Sequence, residues 1–212
     1  MIKDRVVFIG LDFETSVGDV ETGAPIQIGL SMGPFEDGYH TQSWDIGGWS
    51  WDQKSPVRWS EESAKIHNIT QERLQKADNV FEVDVFASAW LLPYVKGYER
   101  MNRIAVQWNV GSFDRQFVVR HMPNLNKILS YRTLDLNSVC FFLANRLGES
   151  FENLKRKAKE YAQGALWENG SAPEWHDAGY DAVAGLIQFE YLSGYGIESK
   201  MVENMFRQVV KE

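Results

Sequence analysis

The segment Arg5-Val6-Val7-Phe8-Ile9-Gly10-Leu11-Asp12-Phe13-Glu14-Thr15 is an apolar run that ends in acid. Val6 to Leu11 are uncharged and mostly β-branched or aromatic, which predicts a strand buried on both faces. Two carboxylates follow, one residue apart. Alternation along a strand sends Asp12 and Glu14 to the same side, where they can share a divalent cation. The plainer reading is two acids solvated in a loop, and Asp-x-Glu is too common a pattern to decide between the two by itself.

Working outward, a polar, glycine-containing turn over 16–23 leads to Pro25-Ile26-Gln27-Ile28-Gly29-Leu30, which alternates as a second strand. The short connection predicts an antiparallel hairpin. Residues 39–46 alternate again as a third, more polar strand toward a sheet edge. Trp44, Trp49, Trp51 and Trp59, half of the chain's eight tryptophans, then crowd a Trp-rich segment over 44–59 with poor helix or strand character. Their rings either plug a satellite core or offer stacking surfaces for bases, and packing is the favoured use.

Ser60 and Thr70 are cap residues for short helices over 61–66 and 71–74, with His67-Asn68-Ile69 as the corner between them. Val80, Val83, Ala87, Trp90, Leu91 and Tyr94 recur at steps of three and four, a helix over 79–95 closed by Gly97. The strand over 104–108 comes after that long helix and is therefore expected to pair parallel to the first. It runs into Asn109-Val110-Gly111-Ser112-Phe113-Asp114 and a helix over 115–121 that stops before Pro123. With Ser112 as cap, Asp114 falls in the first turn, where the helix dipole favours negative charge. A short fifth strand over 131–134, helices over 135–147 and 149–161, and a link over 164–173 complete this part. In Glu174-Trp175-His176-Asp177-Ala178-Gly179-Tyr180-Asp181-Ala182, Asp177 is the cap of a helix with Leu186, Phe189 and Leu192 on its buried side. His176 and Asp181 then hold the two positions that meet in a hydrophobic staple. A closing helix over 198–211 carries a Met201, Met205 and Val209 packing stripe.

The length of 212 residues, 44% of them hydrophobic, fits one α/β domain over 1–212. Without a membrane-length apolar run or a signal-peptide pattern, the expectation is a soluble, cytoplasmic protein with no membrane partner. The single Cys140 cannot form an internal disulfide and reads as core. A net charge of −7 disfavours tracking long duplex nucleic acid, but local cations can still serve a short phosphate substrate. Lys155-Arg156-Lys157 with Lys159 is such a cluster, though a solvated helix face explains it more simply. Asp12, Glu14 and Asp114 fall at or beside the carboxyl ends of strands, where open α/β sheets bind ligands, and Asp181 heads a helix able to cross that edge. Four converging carboxylates raise one another's pKa unless cations intervene, and an all-oxygen ligand set favours Mg²⁺ or Mn²⁺.

Gly10-Leu11-Asp12-Phe13-Glu14-Thr15, Gln27-Ile28-Gly29, Ile66-His67-Asn68-Ile69-Thr70, Phe113-Asp114 and His176-Asp177-Ala178-Gly179-Tyr180-Asp181-Ala182 resemble, in order, the motifs of the DEDDh (DnaQ-like) 3′-to-5′ exonucleases. The resemblance spans residues 6–192. It implies a ribonuclease H-like fold: a mixed five-stranded sheet flanked by helices. It also implies a single-stranded nucleic acid with a free 3′ end as partner, and two divalent cations, Mg²⁺ or Mn²⁺, as cofactors. Asp12, Glu14, Asp114 and Asp181 would be the metal ligands and His176 the general base. Thr15 would approach the terminal sugar and Ile66 and His67 the last base, with Phe13 and Asn109 as further substrate contacts. One spacing departs from the family: Asn109 precedes Asp114 by five residues rather than four, as if Ser112 were inserted. Hydrolysis of very short or cyclic oligonucleotides would use the same five residues. A catalytically silent nucleic-acid-binding module would tolerate the loss of one, and none is missing.

Overall fold

In the structure, a computed structural model describing residues 5–52, 54–168 and 176–198, the first strand does not stop at the acids. β1 (Val7–Thr15) carries Asp12 and Glu14 within it, because antiparallel pairing with β2 (Pro25–Phe35) continues through Asp12↔Gly29 and Glu14↔Gln27. β3 (Gly38–Asp45) pairs antiparallel on the outer side of β2 as the expected edge strand. β4 (Arg103–Gln107) lies parallel to β1, and β5 (Thr133–Asp135) parallel to β4. The order β3-β2-β1-β4-β5 makes the mixed five-stranded sheet that the sequence predicts.

Alternation along β1 sorts its neighbours. Ile9, Leu11 and Phe13 enter a core shared with α3 (Val80–Val95), α4 (Asp114–His121) and the residues around α5 (Pro123–Ile128). Phe8 faces the other layer and meets Phe189 at 4.7 Å between ring centroids. That layer holds α6 (Leu136–Leu147), α7 (Phe151–Glu168) and α8 (Ala178–Glu198). Two glycines allow α8 to lie directly on the sheet: a Cβ on Gly29 would fall 1.8 Å from the Ala178 carbonyl oxygen, and one on Gly10 2.2 Å from that of Ala182. Any side chain at either position would push α8 off the sheet.

The short helices α1 (Glu61–His67) and α2 (Gln71–Leu74) have the predicted caps, Ser60 and Thr70. Pro123 ends one helix and opens another. As the first residue of α5 its missing N–H costs nothing, and the buried Asp84 carboxylate of α3 accepts the next two N–H groups, of Asn124 and Leu125, at 2.9 Å each. The expected link over 164–173 is also revised. Leu154, Ala158, Ala162 and Leu166 form one buried stripe at steps of four, and it carries α7 through Gly164 to Glu168. The remainder of that link, and most of the closing helix expected over 198–211, lie outside the described residues. The tryptophans pack: Trp44 and Trp49 border the main core, whereas Trp51 and Trp59 cover Ile26, Ile69 and Leu74. Cys140 is buried. Among the described residues, no helix is long and apolar enough to cross a membrane.

Candidate active site

Asp12 and Glu14 project from the α8 side of β1, and their neighbour Phe13 projects into the core, 5.9 Å from Phe117. This corrects the expectation for Phe13. Strand alternation turns its ring away from the acids, and it serves them only through its backbone N–H, which donates to Asp114 Oδ1 at 3.0 Å. Asp114 is the first residue of α4 and is 2% exposed. Ser112 is not its cap: the Ser112 hydroxyl donates to the Asn109 carbonyl at 3.1 Å, and the cap position falls to Phe113. Ser112 and Phe113 both also donate their N–H groups to that carbonyl, and Asn109 takes a left-handed φ of 60°. The extra residue is thus absorbed in a self-bonded turn that still delivers Asp114. The Asn109 side-chain oxygen is engaged by the Asn137 amide at 2.8 Å.

The third carrier is the entrance to α8. Asp177 caps it as predicted, its Oδ1 accepting from Gly179 N at 2.9 Å and Tyr180 N at 3.2 Å. His176, just before the cap, has a φ of 68°, and its N–H donates to Asp181 Oδ2 at 3.1 Å. The staple positions do meet, with a carboxylate holding the backbone of the histidine residue. Glu14, His176 and Asp181 each place one potential ligand atom within 4.8 Å of the others.

Two glutamines that sequence reasoning did not assign to the site hold it together. Gln107, 5% exposed at the end of β4, donates to Asp12 Oδ1 at 3.3 Å and to the Asp181 carbonyl at 2.8 Å. Gln27, 2% exposed on β2, accepts the Ala178 N–H at 2.8 Å and donates to Asp177 Oδ2 at 3.2 Å and Asp45 Oδ1 at 3.0 Å. Asp45 is held in turn by the Arg73 guanidinium, at 2.5 and 2.7 Å. A polar residue between apolar neighbours is the signal in the two strands, and Gln27 also stands in the Gln27-Ile28-Gly29 motif, which marks it without giving it a role.

The acids raise one another's pKa. Burial pushes Asp12 well above its ordinary value, and the charges of Asp114, Asp181 and Glu14 add to this. Glu14 is pushed to about 8 by burial and then by Asp181 and Asp114. Asp114 reaches about 8 through burial, against the lowering effect of the Phe13 N–H. Asp181 reaches about 6, also through burial, with the His176 N–H and the imidazole opposing the rise. A buried oxygen-rich cluster that resists ionisation in this way suits hard divalent cations, which would restore all four carboxylates to the charged form.

Thr15 is buried, and its hydroxyl donates to the Val17 carbonyl at 3.0 Å. Ile66 is 55% exposed. His67 is buried beneath Trp59, and its Nδ1 accepts the Ile69 N–H at 3.0 Å. Burial, and secondarily the charge of His176, lowers its pKa to about 4, so it is a neutral imidazole near pH 7.

No family model matches the chain, and no curated protein matches it in sequence. Solved structures do match. Escherichia coli exonuclease I in complex with single-stranded DNA aligns over 96% of this chain with a TM-score of 0.58 and 13% identity. The chain has the ribonuclease H-like fold of the DEDDh exonucleases. Cell-death related nuclease 4 (CRN-4) aligns over 90% of the chain, TM-score 0.55 and 14% identity. A 3′-exonuclease that recognises the histone mRNA stem-loop aligns over 88%, TM-score 0.53 and 12% identity. The chain spans only 43% of the exonuclease I chain, against 65% of CRN-4 and 81% of the 3′-exonuclease.

Proposed function

We propose that the chain is a single DEDDh exonuclease domain that removes nucleotides one at a time from the 3′ end of single-stranded DNA or RNA, releasing nucleoside 5′-monophosphates. The observation that carries this reading is the convergence of Asp12, Glu14, Asp114, Asp181 and His176 at one edge of a sheet with the exonuclease fold. Two divalent cations, Mg²⁺ or Mn²⁺, held by the four carboxylates, would supply an activated water and neutralise the charge developing on the leaving oxygen.

The chain's own residues do the rest. His176 takes the proton from the attacking water as its oxygen bonds to phosphorus; the bond from phosphorus to the 3′ oxygen of the preceding sugar breaks, and that oxygen takes a proton from solvent water as it leaves. Asp181 fixes the backbone of His176 through the N–H it accepts, and the Asp177 cap sets the direction in which α8 presents both. Gln107 orients Asp12 against α8. Ile66 offers exposed apolar surface to the terminal base, and the buried His67 holds that corner through the Ile69 N–H that it accepts.

The test uses 5′-labelled single-stranded DNA, RNA and dinucleotides. A ladder that shortens from the 3′ end one nucleotide at a time supports the reading, and the preferred ladder names the substrate. Rapid cutting of a circular single strand would mean endonuclease chemistry instead, and cleavage confined to dinucleotides would select the short-oligonucleotide alternative.

A further inference from the structure

The basic run on α7 divides by direction. Arg156 pairs with Glu160, one turn along the helix, at 2.6 Å, and Lys157 pairs with Glu149 at 2.5 Å. Lys155 and Lys159 line a cavity of about 280 Å³ shared with Asp12, His176 and Asp181, and the Lys159 charge acts on the Asp181 carboxylate. Trp108 forms another part of that cavity, and the Lys155 ammonium lies 4.7 Å from its ring centroid. A contact with a ring face consumes none of the three N–H donors, so Lys155 keeps them for an anion. Four residues of helix separate the two lysines by about 6 Å along the axis, a spacing on the scale of successive phosphates in an unstacked strand.

We propose that Lys155 and Lys159 form a phosphate-binding pair that holds the nucleic-acid backbone at consecutive phosphates as the 3′ end enters the acidic cavity. The proposal rests on the exonuclease reading and adds to it the means by which a chain of net charge −7 holds a polyanion beside four carboxylates. Two cations suffice for a short contact at a strand end, and they give no broad basic face for a duplex. The Trp108 ring face holds the Lys155 ammonium at the wall of the cavity, where an entering anion can meet it.

The experiment measures binding of a 5′-fluorescein-labelled thymidine decamer to the full chain by anisotropy, with Ca²⁺ as the divalent ion, over about 50 to 200 mM NaCl. Each phosphate contact on a single strand contributes about −0.7 to the slope of log K against log salt. Lys155→Gln and Lys159→Gln should therefore each flatten the slope by about 0.7, and the double variant by about 1.4. Replacing the last two linkages by uncharged methylphosphonates should weaken wild-type binding and remove the difference between wild type and the double variant. Arg156→Gln, which gives up the bonds to Glu160 and Asn153, should keep the wild-type slope. A double variant with an unchanged slope would overturn the proposal, and a changed melting temperature alongside it would mark the lysines as packing for Trp108 or counter-charges for the acids. A wild-type chain that neither binds nor shortens, in Mg²⁺, the decamer or its uridine counterpart fails the exonuclease reading itself. One that does both, with a slope indifferent to the lysines, fails only the phosphate pair.

Discussion

The turn between β4 and α4 and the entrance to α8 each bring a carboxylate to the same cavity, but they are built differently. The first closes mainly on its own backbone: Ser112 N, Phe113 N and the Ser112 hydroxyl all converge on the Asn109 carbonyl, with Asp135 and Asn137 bracing Asn109 from the start of α6. The second is held from outside, by a chain of side chains running from Arg73 through Asp45 and Gln27 to Asp177. A turn that satisfies its own hydrogen bonds can absorb an extra residue and still deliver Asp114. An entrance tied to Gln27, 150 positions away, depends on contacts that no local pattern encodes.

The carboxylates themselves should show no difference between the two regions. Asp114→Ala and Asp181→Ala should each lower kcat by at least about 10³-fold, with an unchanged or higher melting temperature because each removes charge from a crowded buried cluster. His176→Ala should cost on the order of 10²- to 10⁴-fold in kcat with little change in KM, the usual worth of a general base. A near wild-type rate for any of the three, in a standard turnover assay, would remove that residue from the site.

The supports should separate. Gln27→Ala frees the Ala178 N–H and one face of the Asp177 cap, and a shift of the His176 segment by about 1 Å is enough for a loss of up to ~10²-fold in kcat. Because Gln27 acts through His176, adding Gln27→Ala to His176→Ala should cost little more, and simple multiplication of the two losses would show a merely structural role. Deleting Ser112 restores the family spacing and should change kcat by less than about 10-fold, since its bonds lie within the turn. Asp177→Asn should be mild as well: asparagine keeps the cap and gives up the acceptor that faces Gln27, a loss of ~1 kcal/mol.

How much of this was legible follows the same division. Asp12, Glu14, Asp114, His176 and Asp181 sit at strand alternations and helix starts, where side-chain direction follows from local geometry, and the structure brings them together. The same alternation, available in the sequence, sends the Phe13 ring into the core and away from the acids. Gln27 and Gln107 act across the sheet, on partners far along the chain, and periodicity carries no trace of that. Gly164 suggested a break in α7, but burial of Ala162 and Leu166 on either side of it outweighs the roughly 1 kcal/mol that a helical glycine costs. Pro123 signals a stop in the sequence, and its use as a start depends on Asp84 of another helix.

A smaller effect should appear in the stability of the metal-free protein. Glu14 and Asp114, pushed to about 8, hold protons in the folded state that the unfolded chain has already released above the ordinary carboxylate range. Stability should therefore fall as pH rises from about 5 toward 8. A drop in melting temperature of at least about 2 to 4 °C is expected across that window, the shift produced by ~1 kcal/mol in a chain of this size. Saturating Mg²⁺ should flatten the slope, since cations stabilise the ionised cluster. An equal slope with and without Mg²⁺ would place the acids outside any metal site.

The most direct test of the central claim follows a 5′-labelled single strand under three conditions: wild type in Mg²⁺, wild type after exhaustive chelation, and Asp12→Ala in Mg²⁺. Stepwise shortening from the 3′ end is expected in the first and an intact strand in the other two, with activity restored to the chelated enzyme by adding back Mg²⁺ or Mn²⁺. Full activity in the chelated wild type, or in Asp12→Ala, would contradict the claim.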